Sequence, residues 1–133
     1  MIIGLGTDII EIERVRKAAG RKNFRDRVFT EIEQAYCESR GSHSAASYAA
    51  RFAAKEAFFK ALGTGIFTQL KDVEVINDKR GAPKISLHGK AATLAEEMRV
   101  NKISLSLSHS LEFATAICVL EKGEGGREKG EGF

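Results

Sequence analysis

The sequence has no tryptophan, one proline (Pro83), two cysteines and only 8% aromatic residues in a chain of 133. Cys37 and Cys118 stand far apart. They fit neither a zinc spacing nor a CxxC pair, which excludes a disulfide framework and the common structural zinc sites. They read as buried thiols in a reducing compartment. No apolar run approaches the roughly 20 residues of a bilayer span. The start, Met1-Ile2-Ile3-Gly4, has neither the positive region nor the long apolar region of a signal peptide, so a cytoplasmic protein with no membrane partner is expected. There is no GxSxG elbow, no Walker A lysine motif and no HExxH, so an internal nucleophile and the usual zinc hydrolases have no support. Gly4-Leu5-Gly6 opens like a dinucleotide fingerprint, but Ile9 stands where its third glycine belongs.

What is present is one domain's worth of apolar residues, 43% of the chain, and a charge that is unevenly placed. Between Arg14 and Arg27 seven basic residues face Asp26 alone, within a chain whose total is +3, so the rest is net acidic. A local excess of this kind suits an acidic partner at one face, or else a solvated helix face. A small nucleic-acid-binding domain would also use such a patch. Phe24 and Phe29 are nearby, but no interleaved series of stacking aromatics lies on a strand, so no nucleic-acid partner is expected.

Hydrophobic periodicity predicts a first strand over residues 2 to 8, running into a helix near Ile9, with Gly4, Gly6 and Asp8 on one strand face. Helices follow over about 10 to 19 and 24 to 39, then a loop at Gly41-Ser42-His43-Ser44. The longest helix is expected from Ser44 to Leu62, ended by Gly63-Thr64-Gly65. Val73 to Ile76 and Pro83 to Leu87 read as a hairpin across Asp78-Lys79-Arg80-Gly81, residues 90 to 100 as a helix, and Ile103 to Ser110 and Phe113 to Leu120 as strands. The expected fold class is α+β, a mainly antiparallel sheet packed against a long central helix, in one domain over residues 1 to 120. Residues 121 to 133 hold five glycines and seven charges and are expected to be a disordered tail.

Three residues break local rules. Glu56 falls within about 60° of Phe52, Ala45, Ala49, Phe59 and Gly63 on a helical wheel, inside the apolar stripe. A carboxylate there is either paired with Lys60 one turn later or a metal ligand. Asp8 with Glu11 three residues on fits an N-cap and capping box, while the glycines before it leave room for a ligand. His109 ends an apolar strand face, where it is either a hydrogen-bonded core residue or an acid or base. Two separated carboxylates with basic residues nearby suggest Mg²⁺ and a phosphate-bearing substrate.

Gly4-Leu5-Gly6-Thr7-Asp8-Ile9, the run from Arg51 to Gly65 (RFAAKEAFFKALGTG) and Ser106-Leu107-Ser108-His109-Ser110 together resemble the holo-[acyl-carrier-protein] synthase family, the small bacterial 4'-phosphopantetheinyl transferases. The resemblance runs from the start of the chain to about Leu120. It implies the 4'-phosphopantetheinyl transferase fold and transfer of the phosphopantetheine arm of coenzyme A to a serine of apo-acyl carrier protein in fatty acid biosynthesis. It implies Mg²⁺ on Asp8 and Glu56, phosphate contacts from Lys60, Gly63, Thr64 and Gly65, and coenzyme A contacts from Arg51, Pro83 and His109. Glu56 is favoured as the base for the substrate serine, with His109 assisting and Lys60 in the catalytic set. Arg14, Arg21, Lys22, Phe24 and Arg25 stand where the family docks its acidic carrier protein. Arg40 and His43 flank Gly41 and Ser42 where many relatives cluster Lys or Arg, so the resemblance carries no nucleotide contact over to that loop. It also implies a homotrimer whose active sites are shared between subunits, with Asp8 and Glu56 of one chain near His109 of the next.

Overall fold

The computed structural model describes residues 1–123. Strand β1 (Ile2–Glu11) leads into helices α1 (Ile12–Ala19), α2 (Lys22–Val28) and α3 (Glu31–Glu38). The long helix α4 (Ser44–Leu62) follows, then β2 (Val73–Asn77), β3 (Pro83–Leu87), α5 (Gly89–Glu97), β4 (Val100–His109) and β5 (Phe113–Lys122). The fold is α+β as expected. β1, β5 and β4 form an antiparallel sheet in that order, and β2 and β3 form a separate antiparallel hairpin. No helix among the described residues is long and apolar enough to cross a membrane.

Several boundaries move, each for a local reason. β1 does not stop at Asp8, because Ile9, Ile10 and Glu11 continue the ladder to Thr115, Ala114 and Phe113. Asp8 is therefore a mid-strand residue and not a helix cap. Glu11 takes the cap position of α1 with no side-chain cap bond. The helix expected over 24 to 39 divides at Phe29, whose backbone is extended and whose ring is fully buried against Tyr48, and α3 restarts with a capping box between Thr30 and Glu33. That Thr-x-x-Glu signature is legible in the sequence. The Gly41–His43 loop is a single 3₁₀ turn. α5 ends at Glu97, since Arg99 takes a left-handed φ of 65° and Val100 pairs with Lys122. β5 holds Glu121 and Lys122, which were expected in the tail, because they pair with Ile2, Lys102 and Val100; the rest of the expected tail after Gly123 lies outside the described residues.

α4 is the centre of the molecule. Its bounds match expectation, with Gly63 closing it at φ 82°. Fourteen of its nineteen residues are buried, so burial is not confined to one apolar stripe. Its alanines allow close neighbours, and the closest is β1. A Cβ on Gly6 would stand 2.0 Å from the carbonyl oxygen of Ala57, and one on Gly4 would stand 2.1 Å from that of Ala61. The strand thus lies directly on the helix backbone, and Asp8, next on the same face, is delivered to α4.

On another side α4 is tied down by a buried ion pair. Lys55 and Glu33 are both fully buried, with Nζ donating to Glu33 Oε1 at 2.9 Å and to the carbonyls of Val73 and Leu70 at 2.7 and 3.1 Å. Glu33 Oε2 accepts from the Val75 amide at 2.7 Å. Every charge is met, as burial demands.

Gly6→Ala is expected to cost roughly 3 kcal/mol or more, because the clash is with backbone and not with a side chain that can turn away. Chemical denaturation of the variant checks this, and a wild-type midpoint would overturn the account of β1 packing.

Candidate active site

α4 carries two groups of polar side chains on different sides of its axis, since Arg51 and Glu56, five residues apart, lie about 140° apart on an ideal helix. The first group is Asp8, Glu56 and Lys60. Lys60 Nζ donates to Asp8 Oδ1 at 3.1 Å and to the Thr7 carbonyl at 3.0 Å. The expected Glu56–Lys60 pair does not form, because β1 comes close enough for Lys60 to bridge strand and helix instead. Glu56 is half-buried and accepts no hydrogen bond among the described residues. Burial raises its pKa above the ordinary carboxylate value, the Asp8 carboxylate adds to the rise, and Lys60 opposes it. Two carboxylates therefore share a field with one ammonium.

Past the end of α4 the Gly63-Thr64-Gly65 segment is exposed. Gly63 and Gly65 have φ of 82° and 69°, and a Cβ on either would meet nothing within 4 Å. These glycines serve backbone conformation and not close approach. The Thr64 hydroxyl donates to the Gly65 carbonyl at 2.7 Å.

The second group lines a cleft of about 340 Å³ between α3, α4, the β2–β3 hairpin and the end of β4. Arg51, Pro83 and His109 meet there, and Asp8, Glu56 and Lys60 do not line it. Arg40 and His43 also reach it, so the loop to which the sequence assigned no contact is part of the wall. No Asp or Glu lines the cleft, which makes it a place for an anion. Arg51 is only 4% exposed; its guanidinium carbon lies 4.2 Å from the Tyr36 ring centroid, Nη2 donates to Asn77 Oδ1, and Nε has no partner. His109 is exposed and its Nδ1 lies 3.2 Å from the Ser110 carbonyl oxygen. It is not a core residue. Tyr36 and Asn77 were not found from the sequence, since neither breaks a local pattern. Lys55 was also missed, although a lysine among Ala53, Ala54 and Ala57 in an apolar helix is a signal of buried pairing.

The basic run divides. Arg21, Lys22, Asn23, Phe24 and Arg27 line a surface hollow of about 410 Å³, and Arg14 is exposed on α1 outside it. Arg25 donates through Nη1 to the Ala19 carbonyl at 2.7 Å, closing the end of α1, and Lys22 pairs with Asp26 at 2.5 Å. Phe24 is half-buried, 6.1 Å from the Phe29 ring and 6.3 Å from that of Phe52, so it is an edge of the core that also shows at the surface. Both cysteines are free, and burial pushes Cys37 and Cys118 up to about 12, which leaves no thiolate nucleophile.

Residues 4–118 match the model of the 4'-phosphopantetheinyl transferase superfamily. The chain belongs to this superfamily. Among its relatives, the holo-[acyl-carrier-protein] synthase of Geobacter metallireducens is 48% identical, covering 92% of this chain and 99% of its own. A holo-(acyl-carrier-protein) synthase of Bacillus anthracis, solved in complex with CoA (3',5'-ADP), superposes with a TM-score of 0.77 at 40% identity, over 92% of this chain and 99% of that one. The Neisseria meningitidis synthase superposes with a TM-score of 0.83 at 34% identity, over 92% of this chain and all of its own.

The raised Glu56 pKa has a consequence for stability. The native state holds the Glu56 proton more tightly than the unfolded chain does. Ionisation therefore costs stability, a cost absent below the unfolded value that builds as pH rises through the folded one. Glu56→Gln is expected to raise the thermal midpoint by roughly 1–3 °C at pH 7 and to lose that advantage near pH 4. Melting curves at the two pH values test it, and a lower midpoint for the variant at pH 7 would contradict the assigned burial.

Proposed function

We propose that the protein transfers the 4'-phosphopantetheine arm of coenzyme A to a serine hydroxyl of an apo-acyl carrier protein in fatty acid biosynthesis, releasing adenosine 3',5'-bisphosphate. The observation that carries this reading is one helix holding both an acid-free cleft walled by Arg51, Arg40 and His43 and, on another side, a carboxylate pair facing a lysine. A ligand with a phosphorylated nucleotide at one end and a diphosphate further along would need one group of each kind, the cleft of one subunit and the carboxylate pair of its neighbour. The names of the relatives point the same way.

In the reaction the serine oxygen forms a bond to the phosphorus that carries the pantetheine arm, and the bond from that phosphorus to the bisphosphate leaving group breaks. The serine proton needs an acceptor. Glu56, which accepts no hydrogen bond among the described residues, is the assigned base, directly or through a metal-bound water, and His109, exposed at the cleft, assists. Lys60 and the backbone amides of Gly63 to Gly65 receive phosphate oxygens, the lysine as a point charge.

The donor set suits Mg²⁺. Asp8 and Glu56 are two hard oxygen ligands, Asp8 Oδ2 accepts no hydrogen bond among the described residues, and no group of three or more His, Cys, Asp or Glu that could hold a metal occurs there. A cation on such a pair needs further oxygens from water or phosphate, the habit of Mg²⁺ and not of a closed protein cage. Bound there, it would neutralise the diphosphate as charge moves to the leaving group.

The partner surfaces follow. The hollow at Arg21, Lys22 and Arg27 beside Phe24 receives the acidic carrier protein, with Arg14, exposed on α1, adding to the basic charge of the same run. Leu5, Ile9, Phe113 and Ile117 are exposed on β1 and β5, an apolar sheet face that a second subunit would cover. A trimer built on it would complete each site with His109 of a neighbour, which in one chain stands a full strand away from Asp8. Two free, buried cysteines fit a cytoplasmic setting.

Intact-mass analysis of apo-acyl carrier protein incubated with the protein, coenzyme A and Mg²⁺ is expected to show a phosphopantetheine-sized gain that EDTA removes. Glu56→Gln is expected to abolish that gain while adenosine 3',5'-bisphosphate still binds. Transfer that survives EDTA, or runs at the wild-type rate in the variant, would sink the metal assignment. Sedimentation at assay concentration is expected to give a trimer, and a fully active monomer would remove the shared site.

A further inference from the structure

Arg51 is gripped from three sides. α4 supplies the residue, the Tyr36 ring from α3 lies against its guanidinium at 4.2 Å, and Asn77 at the end of β2 accepts from Nη2. Asn77 is the member that reaches further, because its Nδ2 donates to the Gly81 carbonyl at 3.0 Å. The amide has only one workable orientation: a guanidinium can only donate and a carbonyl can only accept, so Oδ1 must face Arg51 and Nδ2 must face Gly81.

The turn that Asn77 holds is itself stiff. Asp78 Oδ1 accepts from the amides of Arg80 and Ala82, both at 2.9 Å, and the Asp78 amide donates to the Ala82 carbonyl at 2.9 Å. Gly81 sits at φ 86°, a conformation other residues adopt only under strain. Pro83, opposite Asn77 in the hairpin register, starts β3 with φ fixed by its ring. Gly81 and Pro83 form one wall of the acid-free cleft and Arg51 another. A single amide therefore joins the two walls.

We propose that Asn77 is a positioning residue for nucleotide binding: it locks the Arg51 guanidinium to the Gly81–Pro83 wall, so that the cleft is already shaped for the phosphorylated nucleotide of the substrate before that substrate arrives. This rests on the coenzyme A reading given above. Asn77 acts through Arg51 and makes no contact with the reacting atoms. Nη2 and one face of the guanidinium are occupied by the protein, and Nε is a buried donor with no partner. Such an arginine is held in a set position with donor capacity to spare, which is the condition for cheap binding of an anion.

The test is a double-mutant cycle between Asn77→Ala and Arg51→Ala, following KM for coenzyme A, kcat and KM for the carrier protein. Asn77→Ala is expected to raise KM for coenzyme A about tenfold while leaving kcat and the carrier-protein KM within about twofold. On the Arg51→Ala background the same change is expected to add less than about twofold, because its effect passes through the guanidinium. An unchanged KM, an effect that multiplies in full on Arg51→Ala, or a kcat that falls with KM would overturn the proposal. Asn77→Ser, neutral and too short to bridge Arg51 and Gly81, enters the same cycle if the alanine variant does not fold. Calorimetry with adenosine 3',5'-bisphosphate runs the cycle without turnover. A wild-type protein that binds the bisphosphate but does not transfer would overturn the function and leave this cycle to decide the clamp. One that does not bind it would overturn both.

Discussion

The site depends on the backbone contact between β1 and α4. A strand can lie on a helix this closely only where it has no side chains in the way, and Gly4 and Gly6 remove them at the two points where Ala61 and Ala57 present their carbonyls. Two residues further along the same face the first side chain that does fit is Asp8. It meets Lys60 and the field of Glu56 because the glycines have already set the distance. An aspartate here is a matter of strand packing before it is a matter of chemistry.

α4 then distributes its polar residues among neighbours with different needs. Lys55 points to the interior, where Glu33 and two carbonyls absorb its charge and hold α3 and β2 against the helix. Glu56 faces the strand side, where burial and the nearby Asp8 carboxylate keep its pKa raised. Arg51 faces α3 and the hairpin and is held by Tyr36 and Asn77. The helix can carry three ionised groups within six residues because each finds a different environment: Arg51 and Lys55, one turn apart, are taken up by separate partners, and Glu56 lies on another side. The buried pair also stops the helix from turning about its axis, which would move Arg51 and Glu56 together.

Long periodic segments and motif residues were legible in the sequence. The bounds of α4, its glycine stop and the hairpin Val73 to Leu87 all follow from local signals that the tertiary structure does not oppose. Local signals failed where a longer-range contact was stronger. The Asp8–Glu11 capping pattern lost to the ladder with β5, and the expected Glu56–Lys60 pair lost to a strand brought within reach by two glycines. The single apolar stripe drawn on α4 missed that most of the helix surface is covered, since a wheel shows the sequence's asymmetry and not how many neighbours will arrive.

What the sequence by itself determined is the set of parts: three motifs specific enough to mark the superfamily, an α+β order of elements, a basic run near the start, and no nucleophile. Each depends on residue identity and short-range spacing, which the chain carries whether or not it is folded. What only the tertiary structure decided is company. That Arg51 shares a cleft with Tyr36, Asn77 and His109, that Arg40 and His43 line it too, and that Lys60 belongs to Asp8 depend on which segments pack against α4. That choice is made by the close approach of backbones and the burial of charge, and neither is written at any one position.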